Sequence, residues 1–262
     1  MNVRVPVSRG VPRWGASARV LIRLAWVRTM SPLVLLGTTG LLLLPLLFAV
    51  LFAAQGSLSG DPVDFLVRRY DQLVGALATP VLALLLGTSA FSAEREDGTL
   101  VYLITTPTPR WWIVTVRLLW AGGLAGALSS LTVWGAGAIA AHGSNPEGVT
   151  SAYTVAVFFG GVAYAALFTV LGLRSRRPLV TGLLYVLFWE GALSGTFQAL
   201  NFLSVRQWML AVTLPLTTAR AERLEGVPSA PFALVAAGVL LLAAIRLGAR
   251  ALDRLPAERS GS

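Results

Sequence analysis

Residues 32–54 read PLVLLGTTGLLLLPLLFAVLFAA and contain no charged side chain. This run is long enough to form a helix that crosses a bilayer, which takes ~20 apolar residues. The rest of the chain has the same character, because 55% of its 262 residues are hydrophobic and only 13% are charged. Soluble domains carry about 25% charged residues. The sequence therefore predicts an all-α membrane protein that spans the bilayer several times.

The apolar runs predict six transmembrane helices in a single domain that covers residues 1–262. The predicted spans are approximately 32–54, 72–93, 112–141, 148–173, 178–197 and 226–245. In the third span, Gly122 and Gly126 are four residues apart and allow a second helix to approach closely. Residues 196–216 are too apolar for an ordinary outer loop. We expect an outer segment there that is either re-entrant or interfacial.

The distribution of arginine predicts the orientation of the spans. All 21 basic residues are arginine, and the net charge is +9. Most of them precede the first span, follow the last, or lie in the two loops on that same side. The exceptions are Arg68, Arg69, Arg206, Arg220 and Arg223. The positive-inside rule then places both termini in the cytoplasm.

Residues 14–30, WGASARVLIRLAWVRTM, precede the first span and admit two interpretations. As a helix they would place Leu21 and Ile22 on one side and Arg19 and Arg23 on another, which is typical of an amphipathic helix lying on a membrane surface. The alternative is a basic tail that serves only to set the topology. The residues alone leave both interpretations open.

Several kinds of chemistry lack the residues they need. The chain contains no lysine, and a Walker A loop requires one to reach the nucleotide phosphates. It contains no cysteine, so it has no thiolate or zinc–cysteine site. Its one histidine, His142, lies in a loop without a cluster of further metal ligands. We therefore expect no bound metal and no catalytic residues, and the placement of the arginines favours membrane over nucleic acid.

Glu190 is the one ionisable residue within the predicted fifth span. At ~1.5 Å per residue it lies roughly 18 Å from Pro178, more than halfway across the hydrocarbon core. Acids at such depth commonly face a bundle interior or a cavity, which suggests a pathway or gating residue. The alternative is that the helix ends early, so that Glu190 lies near the headgroups or caps a break before Gly191 and Gly195.

The loop between the second and third spans, 93-AEREDGTLVYLITTPTPRWW-112, concentrates acids in a basic protein. Leu100, Leu103 and Ile104 have the spacing of one helical face, and Pro107 would end that helix. Acidic residues followed by a short apolar helix favour a docking surface for another protein. A solvated connecting loop is the alternative.

This pattern resembles the permease subunits of type-2 ABC transporters, the exporter-type membrane subunits. In that family the second span runs into an acid, a basic residue, Gly-Thr-Leu, a leucine-rich turn, a proline and further basic residues. The corresponding residues here are Glu94, Arg95, Gly98, Thr99, Leu100, Leu103, Pro107, Arg110 and Arg117. Two positions depart from the pattern: Arg117 stands where lysine is common, and Tyr102 stands where an acid is frequent.

The resemblance implies that the chain is the permease of an ATP-driven exporter in a prokaryotic plasma membrane, surrounded by lipid. A separate cytoplasmic ATPase would hold ATP and magnesium, and this chain would hold no cofactor. Residues 98–105 would form a coupling helix that docks on the ATPase. A second permease, identical or paralogous, would complete the transporter. The alternative is a stand-alone carrier or a membrane scaffold, although a carrier should show inverted repeats and more intramembrane ionisable groups.

Overall fold

The computed structural model describes residues 19, 21–23, 32–55, 60–96, 108–193, 198–219 and 226–258, and the regular elements in these ranges are all helices. We number the α-helices in chain order. They are α1 (Pro32–Ala54), α2 (Pro62–Arg69), α3 (Thr79–Glu96), α4 (Arg110–Ala140), α5 (Val149–Arg174), α6 (Pro178–Leu184), α7 (Val205–Thr213) and α8 (Ala230–Glu258). A π-helical stretch, Tyr70–Ala78, joins α2 to α3, and a second one, Tyr185–Leu193, extends α6.

Five helices in the described part of the chain are long and apolar enough to cross a membrane. They are Val34–Ala54, Pro62–Phe91, Arg110–Ala140, Pro146–Arg174 and Ala230–Asp253. These correspond to the predicted first, second, third, fourth and sixth spans. The second begins at Pro62 rather than near Gln72, because the Asp61 carboxylate accepts a hydrogen bond from Val63 N at 3.0 Å and proline is well suited to the first helical position.

The described part of the predicted fifth span, 178–197, is helical from Pro178 to Leu193, and residues 194–197 lie outside the described residues. Its apolar part, Pro178–Glu190, is shorter than a helix that crosses a membrane. The next α-helix, α7, begins at Val205. Ser204 starts it, since the Ser204 side chain accepts a hydrogen bond from Gln207 N. An N-cap of this kind satisfies a backbone donor that a continuous helix would bond internally, so it fixes a break in the helix.

Residues 178–216 nevertheless run from one end of α5 to the other. They start after Arg174, the last residue of α5. They end where Thr217 Oγ1 donates to the carbonyl of Glu147, just before α5, at 2.8 Å, and Thr218 N donates to the same carbonyl at 3.3 Å. The described parts of this segment therefore lie beside α5 from one of its ends to the other. Trp208 and Met209 on α7 are buried in the bundle rather than lying at its surface.

Helix α5 lies at the centre of the bundle and contacts α3, α4, α6, α7 and α8. Its closest partner is α4, and glycines on both helices permit that approach. A Cβ atom on Gly126 would lie 2.8 Å from the carbonyl oxygen of Phe158, and one on Gly161 would lie 2.5 Å from Gly126 N. The predicted close approach at Gly122 and Gly126 is thus confirmed, and its partner is α5 of the same chain.

Candidate functional site

Part of the predicted docking loop lies beyond what the structure describes. Gly98, Thr99, Leu100, Leu103 and Pro107 lie outside the described residues. Glu94 and Arg95 belong to the last turns of α3, where only the backbone is described. Arg110 opens α4 at the other end of the loop. The described structure therefore shows the two helices that carry this loop and how their ends are held.

Arg117 joins the two helices that flank the loop. It lies on α4, yet its side chain is only 1% exposed. Its Nη1 donates a hydrogen bond to the carbonyl of Ala90 on α3, and its guanidinium lies over the ring of Phe91, 4.7 Å from the ring centroid. A cation–π contact of this kind is worth about 2 kcal/mol when desolvated. The end of α3 and the start of α4 are thereby fastened together.

A second contact joins the base of the loop, which is formed by the end of α3 and the start of α4, to the last helix. Arg110 Nη1 donates to the Asp253 carboxylate on α8, and both side chains are partly exposed. A buried apolar cluster lies beside this ion pair and is drawn from five parts of the chain. Its members are Leu21, Phe91, Ile113, Val114, Val116, Leu173 and Leu252. Displacing the loop would therefore also displace the ends of α5 and α8.

The N-terminal segment contributes to the same base. The structure describes residues 19 and 21–23 of it, and these are helical. Leu21 is buried in the apolar cluster, whereas Arg19 and Arg23 are exposed. Leu21, which the sequence places on the apolar side of the predicted helix, thus packs against the protein. The rest of the predicted amphipathic helix lies outside the described residues.

Glu190 has a defined structural role at the break between α6 and α7. Its side chain is 1% exposed. Oε2 accepts a hydrogen bond from Ser204 Oγ at 2.5 Å, and Oε1 accepts from Val205 N at 3.1 Å and from Tyr185 Oη at 3.2 Å. A carboxylate at a helix N-terminus satisfies the free N–H groups and interacts favourably with the helix dipole. Glu190 thus caps α7 across the break.

A further buried polar group lies between the second membrane helix and α5, and the sequence analysis did not identify it. Tyr153 Oη donates to Asp71 Oδ1 at 2.6 Å, and Tyr70 Oη donates to the carbonyl of Val133 at 2.7 Å. Asp71, Tyr153 and Arg206 line a small cavity with room for about one water molecule. The cavity thus has residues of opposite charge, Asp71 and Arg206, in its lining, and both are partly buried.

The described polar groups do not include a metal-binding arrangement: within the described ranges, no set of three or more histidine, cysteine or acidic side chains could hold a metal ion. Asp71 and Glu190 instead bond to hydroxyl and backbone donors.

Comparison with known proteins identifies a family for most of the chain. A family model described as "ABC-2 family transporter protein" matches residues 46–254, which is most of the chain. The match includes four of the five candidate membrane helices in full and only the last part of the first, Val34–Ala54. No curated protein and no solved structure matches the chain.

Proposed function

We propose a specific role for this chain, which belongs to the ABC-2 family of transporter proteins and is a membrane permease of an ABC transporter. It is the membrane-spanning subunit of an exporter, and it is driven by a separate cytoplasmic ATPase. The chain supplies the path across the membrane, while ATP and magnesium are held by the partner.

The observation that best supports this proposal is that the buried Arg117 of α4 binds to the end of α3. A subunit that is moved by another protein needs a contact surface and a stiff connection from that surface to its spans. The segment 94–107 offers the surface through the acids Glu94, Glu96 and Asp97 and the leucines that follow them. The buried Arg117, its contact with Phe91 and the apolar cluster around them supply the stiff connection. Movement of the loop would then tilt several spans as one body.

A discontinuous crossing by residues 178–216 supports six spans with both termini in the cytoplasm. The segment starts at the end of α5 that carries Arg174, Arg176 and Arg177 and finishes beside Glu147 at the other end. Counted as one crossing made of α6 and α7, it restores the six spans predicted from the sequence. The arginine-rich ends of the helices then all lie on the cytoplasmic side, as the positive-inside rule requires.

The break in this crossing gives Glu190 a place in the transport cycle. Broken helices at membrane depth are tolerated where protein buries the free backbone groups, and they are common in transporters. Opening the hydrogen bonds from Ser204 and Val205 to Glu190 would let α7 move separately from α6. In this proposal Glu190 acts as a gating residue through the position of α7. A second permease subunit, identical or paralogous, completes the transporter in the prokaryotic plasma membrane.

The proposal is tested by coupling measurements on the chain reconstituted with its ATPase. Co-expression with an ABC ATPase encoded beside it should yield a complex, and liposomes containing that complex should hydrolyse ATP and move substrate together. Leu100→Asp and Gly98→Pro should separate hydrolysis from transport while leaving the chain inserted. Tyr102→Asp is the matched control, because a helix would place Tyr102 on the side opposite Leu100 and Leu103.

Two results would contradict the proposal. One is normal coupled transport by both Leu100→Asp and Gly98→Pro. The other is transport that follows an ion gradient and proceeds without any ATPase, which would favour a stand-alone carrier instead.

A further inference from the structure

A groove separates the end of α1 from the start of α2, and it has the composition of a binding site for an amphipathic molecule. Its volume is about 440 Å³, within the usual range for ligand sites. One wall carries aromatic rings and the other carries charges of both signs. The residues that matter are Phe48, Phe52, Asp64, Phe65, Arg68 and Arg69.

Arg69 is held in this groove by aromatic rings. Its guanidinium carbon lies 4.6 Å from the ring centroid of Phe48 and 5.6 Å from that of Phe65. Phe65 is in turn stacked on Phe52 at 4.0 Å. Rings contact the faces of a guanidinium, whereas its N–H groups project from its edges in a fork that matches phosphate oxygens. The rings therefore orient a phosphate-binding group before any ligand arrives.

With α1 crossing the membrane and Ala54 at its surface, the groove lies at the depth of phospholipid headgroups. Phe48 precedes Ala54, the last residue of α1, by six positions, which is roughly 9 Å along a helix. The polar layer on each side of a bilayer is about 5–7 Å thick. A guanidinium over Phe48 thus lies near the boundary between hydrocarbon and headgroups. Leu47 and Leu51, exposed on the same helix, would meet acyl chains.

Acidic residues beside the arginines narrow the choice of headgroup. Asp64 is exposed on α2, one helical turn from Arg68, and Asp61 lies at the start of that helix. A groove with arginines alone would accept any anionic lipid. Carboxylates alongside them attract an ammonium group and disfavour a second negative charge.

We propose that this groove binds a phospholipid whose headgroup carries both a phosphate and an ammonium, of the phosphatidylethanolamine type. The phosphate binds Arg69 and Arg68, the ammonium binds Asp64, and an acyl chain lies along α1 beside Leu47 and Leu51. This site does not depend on which substrate the transporter moves or on how the ATPase docks.

The test is lipid titration of the purified full-length chain in detergent, with bound lipid counted by native mass spectrometry. The probes are dioleoyl phosphatidylethanolamine and dioleoyl phosphatidylglycerol. The wild-type chain should prefer the first. Arg69→Gln should weaken its binding by about tenfold, the loss expected for one charge-assisted pair. Asp64→Asn should weaken binding of the ethanolamine lipid and leave binding of the glycerol lipid unchanged. Arg176→Gln, an exposed arginine outside the groove, is the matched control.

Further variants separate loss of the site from loss of the fold. Arg69→Lys keeps the charge but not the fork, so it should bind with an intermediate affinity, and circular dichroism should show the same helix content in all variants. Unchanged titrations with Arg69→Gln overturn the proposal. A second copy of the chain in the groove would also overturn the proposal. In that case Asp64→Cys, which introduces the only cysteine of the chain, would form a disulfide between two chains in lipid-rich membranes.

Discussion

Glu190 and Ser204 are joined by a 2.5 Å hydrogen bond from the serine hydroxyl to the carboxylate, at the point where one helix of the bundle stops and the next begins. Both residues are buried, with exposures of 1% and 0%. Without the carboxylate, the first N–H groups of α7 would be left inside the bundle without this acceptor. This pair therefore stabilises a break that a continuous apolar helix would not contain.

Replacing Glu190 should destabilise the fold in proportion to the hydrogen bonds lost. Glu190→Ala removes the acceptor for both Ser204 and Val205, and we expect a loss of about 3 kcal/mol. Glu190→Gln keeps one acceptor oxygen and should lose about half as much. Thermal unfolding in detergent measures both. The exposed Glu147 supplies the control, since Glu147→Gln should leave the unfolding curve unchanged. Equal curves for all three variants would show that the cap contributes nothing to stability.

Transport by Glu190→Gln, measured in liposomes that contain the reconstituted transporter, should also change if α7 gates the path.

Alanine at Gly126 and at Gly123 should change stability in opposite directions. A Cβ on Gly126 would lie 2.8 Å from the Phe158 carbonyl oxygen, whereas a Cβ on Gly123 would meet nothing within 4 Å. Gly126→Ala should therefore force α4 and α5 apart and destabilise the protein by about 1–3 kcal/mol. Gly123→Ala should stabilise it by up to about 1 kcal/mol, because alanine is the better helix former. Chemical unfolding followed by circular dichroism compares them, and the same sign for both would refute the close approach.

Arg117 and Arg110 should contribute differently to stability, although both lie in the first part of α4. Arg117→Ala leaves the Ala90 carbonyl and the Phe91 ring without their buried cation, and we expect a loss of about 2–3 kcal/mol. Arg110→Ala removes a partly exposed ion pair with Asp253, which is worth about 0–1 kcal/mol. In the reconstituted transporter, Arg117→Ala should also raise the amount of ATP hydrolysed per substrate moved. If Arg110→Ala is the less stable of the two variants, Arg117 does not make the more important contact at the base of the loop.

The proposed crossing by residues 178–216 predicts the sides on which single cysteines are labelled. The natural chain has no cysteine, so each variant carries one thiol. Arg176→Cys and Thr218→Cys are both exposed and flank the segment. A membrane-impermeant maleimide should reach them from opposite sides of the membrane. His142→Cys should label from the same side as Thr218→Cys, because Thr218 bonds to Glu147 in the neighbouring loop. Labelling of Arg176→Cys and Thr218→Cys from one side would exclude the crossing.

The long apolar runs were sufficient to predict five of the helices, because a charge-free stretch of membrane length has few structures open to it other than a helix. The small residues of the third span were equally informative. Gly122 and Gly126 indicated a close approach, although only the structure identifies α5 as the helix that approaches.

The start of the second membrane helix was misplaced because charge was taken as the end of the span. Arg68, Arg69 and Asp71 all lie within the continuous helix. Asp71 is accommodated by the hydroxyl of Tyr153, and Arg69 by the rings of Phe48 and Phe65. Partners so distant in the sequence cannot be recognised from hydropathy, so the polar group at Asp71 was missed as well.

The break in the predicted fifth span had a local signal that hydropathy obscured. The sequence Ser204-Val205-Arg206-Gln207 has the form of a capping box, with serine at the N-cap and glutamine three residues later. The structure bears out the first half of this pattern through the bond from Gln207 N to Ser204 Oγ. That the distant partner of Ser204 is Glu190 depends on tertiary packing, which the sequence does not reveal.

The backbone-to-backbone approach of Gly126 and Gly161 has a mechanical consequence. Two helices in such contact have no layer of side chains between them that could slip or repack. We therefore expect α4 and α5 to move as one rigid unit. Under the proposed function, a force that the ATPase applies at one end of these two helices would move both of them together. Relative sliding would then be confined to the edge of the bundle, where α1 and α8 have few buried side chains.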